Sequence, residues 1–289
     1  MAKPQLDEIK RLVVRALVAD ELLVGILVLK GGNAIDLAYE LSNRGSLDID
    51  FSIASDFTAE ELNRIRNQSD HLLNQEFEKV GLKAFDVKFE ERPHTVKDEV
   101  KDFWGGYLLE FKLSTMENYT HFDSLDDIRR NALVVGKNNS TKFTVDISKY
   151  EYVGKKRPRD IEGATVYVYS PEMLALEKLR ALCQQLPAYK EIVLSMTSKP
   201  RARDFYDIHN LLTSFDLDFS SSENRHLAHS IFEAKRVPLS FIGHIESQRE
   251  FHRGGWESVV QTVNANEELK SFDAYFDFVI GAFRHLAAD

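Results

Sequence analysis

Residues 29–51, LKGGNAIDLAYELSNRGSLDIDF, constrain this chain more than any other stretch. Leu47, Ile49 and Phe51 alternate with Asp48 and Asp50, so a strand here turns three apolar side chains one way and two carboxylates the other. At strand spacing the two acids stand roughly 6.5–7 Å apart. Like charges that close repel unless a cation lies between them. A divalent metal on one or two carboxylates plus substrate phosphates is the arrangement used in phosphoryl and nucleotidyl transfer. Taken alone, an Asp-x-Asp triplet is equally what the wet face of a half-exposed strand looks like.

Two neighbours add to this reading. An apolar run, residues 24–29, reads as a short buried strand and stops at Gly31-Gly32. Glycine permits close backbone approach, and the following helix, with Asn33 as its N-cap, offers free N–H groups to an anion. The corner matches neither G-x-G-x-x-G nor the phosphate loop G-x-x-x-x-G-K-[ST]. The second neighbour is Asp146 in KFTVDIS, residues 142–148, which also alternates. If that strand lies beside the first, Asp146 supplies a third oxygen ligand or a general base.

Along the rest of the chain, residues 5–21 and Thr58–Val80 have helical periodicity, and Thr58 with Glu61 forms a capping-box pattern. Residues 84–91, 106–113 and 164–170 read as strands, residues 123–131 as a helix, and KKRPR at 155–159 as a basic loop. Ser170-Pro171 is an N-cap followed by a first-turn proline, and helices dominate from there on. The expected fold class is α+β: a mixed-sheet domain over 1–168, then a helical C-terminal domain over 169–289 that completes a cleft.

The ordered motifs resemble the nucleotidyltransferase superfamily related to polymerase β, and more narrowly the AbiEii/MenT-type nucleotidyltransferase toxins. That pattern is L-K-G-G-T-A-L followed by R-x-S-x-D-[LI]-D-F. The chain has Asn33 where threonine is commoner and keeps Arg44 and Ser46 ahead of the aspartates. Two later motifs look like the family's E-K-[LI]-x-A helix, here ALEKLRAL with Lys178, and its R-D-x-x-D, here RARDFYDIHNLL with Arg203, Asp204 and Asp207. The resemblance covers roughly residues 27–212, and residues 213–289 match no part of it.

The resemblance implies that Asp48, Asp50 and Asp146 hold Mg²⁺ or Mn²⁺, and that Gly31, Gly32, Asn33, Arg44, Ser46, Lys178 and Arg203 bind the nucleotide. It further implies that Asp146 or Asp204 handles the acceptor hydroxyl, that an NTP is the substrate, that RNA, tRNA in particular, is the acceptor, and that an antitoxin is the partner. On local pattern Lys178 either snorkels to an edge or enters the cleft. The rival readings are a protein or small-molecule acceptor, a non-catalytic nucleotide- or partner-binding module, and a metal-dependent nuclease.

Composition bounds these readings. The formal net charge is -9, so RNA contact needs a local basic patch, for which KKRPR (155–159) and KPRAR (199–203) are the two candidates. The single cysteine, Cys183, excludes an intramolecular disulfide. The longest apolar run, LLVGILVL at 22–29, is too short for the roughly 20 residues a spanning helix needs. No signal-peptide pattern opens the chain, so a cytoplasmic protein is expected.

Overall fold

The computed structural model describes residues 5–41, 48–134, 139–263 and 268–288. Helix α1 (Leu6–Val18) leads to a short turn of helix, α2 (Leu23–Ile26), and strand β1 (Val28–Lys30). The sequence suggests one strand over 24–29, but the Asp20 carboxylate accepts from the N–H groups of Leu22 and Leu23, which closes a helical turn there. Only the last residues remain free to pair. Gly31–Asn33 then forms α3, continued by a wider turn over Ala34–Ala38.

Strand β2 (Ile49–Ser52) carries Asp50, and α4 (Ala59–Phe77) follows with the Thr58–Glu61 capping box fully formed. Next come β3 (Leu82–Arg92), β4 (Gly106–Thr115), α5 (Met116–His121), α6 (Leu125–Arg130), β5 (Phe143–Ser148), β6 (Arg157–Ile161) and β7 (Ala164–Val168). The expected basic loop at 155–159 is therefore partly a strand. Pro158 is tolerated because β6 lies at the edge of the sheet.

The seven strands run in the order β3-β4-β5-β2-β1-β7-β6. β2 and β5 are parallel, as are β1 and β7, while the other neighbours are antiparallel. The apolar face packs on α4: Phe77 meets Phe111 of β4, which stacks on Phe143 of β5. The polar face bears the acids.

After β7 the chain is helical: α7 (Pro171–Cys183), α8 (Ala202–Phe215), α9 (Ser222–Glu233), α10 (Arg249–Arg253), α11 (Trp256–Val260) and α12 (Phe272–Phe283). Ser170 caps α7 and Pro171 occupies its first turn, as the sequence suggests. One contiguous hydrophobic cluster runs from Ile9 and Val13 through the sheet to Phe276 and Phe283, so the two halves share a core. The architecture is α+β. No helix among the described residues is long and apolar enough to cross a membrane.

Candidate active site

Register places the acids. Asp50 on β2 is the direct partner of Asp146 on the parallel strand β5, and Lys30 on β1 is the direct partner of Asp50. Directly paired residues point the same way, so Lys30, Asp50 and Asp146 form a row across three central strands. Asp48 lies on the same face, where the Thr144 hydroxyl donates to its Oδ1 at 3.2 Å. The hydrophobic alternation that sends Ile49, Phe51, Val145 and Ile147 into the core compels this.

Gly31 closes over the row. Its φ is +68°, and a Cβ there would lie 2.6 Å from Oδ2 of Asp50. Only glycine lets the carboxylate approach the backbone that closely. Asn33 is not the N-cap that the sequence suggests, because the helix begins at Gly31. It is fully buried, and its amide donates to the Asp48 carbonyl, tying the glycine turn to the acid strand. Arg44 and Ser46 lie outside the described residues.

The row is electrostatically uncomfortable. Desolvation raises the Asp50 carboxyl to about 7; Lys30 opposes the shift, while Asp146, Glu177 and Asp48 add to it. Asp146 is raised too, by desolvation and then by Asp48, against Lys30, Arg92 and Lys199. Among the described residues no group of three or more His, Cys, Asp or Glu side chains is arranged to hold a metal ion as it stands.

A cleft of about 300 Å³ opens beside Asp146. Lys30, Arg92, Arg180, Arg201 and Lys235 line it, with Glu151, Glu177, Trp104 and Gln184. Sequence reasoning assigned none of these residues to the site. At its back, buried Glu151 gathers three cations. Its carboxylate accepts from Arg180 at 2.8 and 3.2 Å and from Lys30 at 3.4 Å, and lies 3.7 Å from Lys235. Burial works against the Glu151 charge, but Arg180, Lys30 and Lys235 outweigh it and hold its carboxyl well below the usual range. Lys235 falls to about 8 through desolvation, with Arg180 and Lys30 adding to the shift against Glu151. Lys30 was legible in the quoted L-K-G-G motif. Glu151, Arg180 and Lys235 carry no such local signal.

The residues of the later motifs sit behind this cleft. Lys178 does not line it. Its ammonium is buried between Asp207 at 2.8 Å and Asp204 at 3.1 Å. Lys178 therefore takes neither course that local pattern offers: it is locked in a salt bridge of the helical half. Asp204 is also buried, and Arg201 donates to its second oxygen. Burial opposes the Asp204 charge, yet Arg201 and Lys178 hold it ionised. Arg201 is the link forward, since it lines the cleft and feels Asp50 as well as Asp204. Arg203 donates to Thr262 and lines a separate groove.

The sequence model of a single family, described as nucleotidyl transferase AbiEii toxin of a type IV TA system, matches residues 13–278. No curated protein matches the chain. Among solved structures, a candidate nucleotidyltransferase from H. pylori is 17% identical, over 98% of this chain and 93% of that one, with a TM-score of 0.48. JHP933 from Helicobacter pylori is 16% identical over 98% and 90%, at 0.46. An antigenic nucleotidyltransferase-like protein from Paracoccidioides brasiliensis is 18% identical over 81% and 91%, at 0.37. The family match spans nearly the whole length. The chain belongs to the AbiEii toxin family of type IV toxin–antitoxin systems and is a nucleotidyltransferase.

Proposed function

We propose that this toxin moves an NMP from an NTP to the terminal hydroxyl of an RNA, tRNA in particular, in a metal-dependent reaction at the Asp48–Asp50–Asp146 face. The observation that carries the reading is the in-register pairing of Asp50 with Asp146, two carboxylates side by side on one face of the sheet. An oxygen-only, like-charged donor set fits a hard divalent cation and suits little else. Asp48, Asp50 and Asp146 would hold Mg²⁺ or Mn²⁺, which when bound neutralises phosphate charge.

The other roles follow from where each side chain lies. Gly31, Gly32 and Asn33 shape the backbone against the phosphates, with Gly31 also seating Asp50. Lys30, Arg180, Arg201 and Lys235 face the negative charge of the triphosphate from the cleft wall. Lys178 acts through Asp204 and Arg201 rather than by touching phosphate. Asp146 takes the proton of the acceptor hydroxyl, because its carboxyl is exposed to the cleft, whereas Asp204 is buried and doubly paired. Pyrophosphate leaves. Residues 1–168 form the nucleotidyltransferase unit, and 169–289 supply Arg180, Arg201 and Lys235 of the cationic wall. A cognate antitoxin counteracts the activity.

The test is transfer of label from an α-labelled NTP into RNA. Wild type should label RNA in Mg²⁺ or Mn²⁺ and not in chelator, and Asp50→Asn should not label it. Label found only in protein or a small molecule would reject RNA as the acceptor. Undiminished transfer by Asp50→Asn would reject the site.

A further inference from the structure

We propose that the groove at the start of α8 binds the sugar-phosphate backbone of the acceptor RNA just upstream of its 3′ end. The proposal rests on the reading of RNA as acceptor and goes beyond it by locating the contact. The groove holds about 410 Å³, and Lys199, Arg201 and Arg203 line it along one segment, with Gly255 and Ser258 opposite.

Two observations converge on this groove. The first is continuity: Arg201 lines both the groove and the cleft that Asp146 also lines, so an occupant of one abuts the other. The second is available charge. Lys199 is exposed, and no hydrogen bond or ion pair engages its ammonium among the described residues. Among the described residues the one acid lining the groove, Asp204, is already shared between Lys178 and Arg201. The Lys199 charge is thus left uncompensated among the described residues, although the chain as a whole is at -9.

The lining also selects among polyanions. Among the described residues it contains no aromatic ring. Single-strand sites that hold bases do so by stacking, whereas cations without rings hold phosphates and are indifferent to sequence. The other basic segment is more heavily engaged: Lys155 pairs with Glu223, Arg157 with Glu172, the Lys156 ammonium donates to the Gly25 carbonyl, and Arg159 lies over the Tyr39 ring.

The test is fluorescence anisotropy of a short single-stranded RNA with a free 3′ hydroxyl, titrated with full-length protein across a salt series. Lys199→Ala, Lys199→Ala/Arg203→Ala and Lys155→Ala are compared with wild type. The first two should bind more weakly, with the salt slope reduced by about one per cation removed, and Lys155→Ala should match wild type. In the transfer assay the double variant should raise KM for RNA and leave KM for NTP unchanged. Lys199→Ala covers the case in which losing the Arg203–Thr262 contact unfolds the double variant, because no hydrogen bond or ion pair among the described residues engages that ammonium. Unchanged RNA binding and salt slope in both variants would overturn the groove while leaving RNA transfer intact. Wild type that neither binds nor labels RNA would overturn the groove and the acceptor assignment together.

Discussion

Two charged regions of this protein are built on opposite rules. Where the helical half meets the sheet, buried charges meet their opposites: Lys178 with Asp204 and Asp207, Arg201 with Asp204, and Glu151 with Arg180, Lys30 and Lys235. On the sheet, Asp50 and Asp146 stand side by side with Asp48 close by, and Lys30 is the one cation directly paired across from them. The first region is neutralised within the fold. The second is left in deficit, which is tolerable only where something from outside supplies the missing charge. Stability and function are thus separated within the same cleft, and Lys30 touches both regions.

The largest effect should come from the neutralised region. Glu151→Gln leaves Lys235 without its counter-ion and leaves Arg180 and Lys30 only the more distant Glu177, at 3.8 and 3.9 Å, and we expect a loss of about 3–5 kcal/mol in urea unfolding. A loss under about 1 kcal/mol would mean that water already screens the cluster. The acid row should behave the opposite way. Asp50→Asn should cut transfer by on the order of 10²–10³-fold, yet its melting temperature in chelator should equal or exceed that of wild type, because it relieves crowding among like charges. A lower melting point in chelator would place Asp50 among the structural charges.

His252 gives the neutralised region a pH signature. It is fully buried, its Nδ1 accepts from the Arg201 N–H, and desolvation lowers its pKa to about 4. The unfolded chain binds that proton near 6.5, so stability is complete above that value and declines as pH falls from 6.5 through 4. The decline should reach about 3 kcal/mol, and His252→Phe should flatten it in unfolding measured across that range. The smallest loss of stability we expect is at the junction of the two regions. Gly31→Ala should cost about 1–2 kcal/mol for its left-handed backbone, while displacing the Asp50 carboxylate and lowering transfer. Normal transfer in Gly31→Ala would show that the close approach is dispensable.

The sequence revealed the parts whose signal is local. Alternation at 47–53 and 142–148 identified both acid strands, and their adjacency then followed from the parallel pairing of β2 with β5. The Thr58–Glu61 box and Ser170-Pro171 were equally legible, since a cap is set by residues within one turn. What stayed hidden depends on distant partners. Nothing near Glu151 announces that Lys30, Arg180 and Lys235 converge on it from separate elements. Lys178 looked available because its carboxylate partners lie 26 and 29 residues away. The helical turn at Leu23–Ile26 was masked by an apolar run with no periodicity to separate helix from strand.

The central claim is that the acid row is incomplete without a cation. The most direct measurement is Mn²⁺ binding by electron paramagnetic resonance, in the presence of a non-hydrolysable NTP analogue, for wild type, Asp50→Asn and Glu177→Gln. We expect saturable binding in wild type and in Glu177→Gln, and its loss in Asp50→Asn. Equal Mn²⁺ binding by wild type and Asp50→Asn would contradict the account.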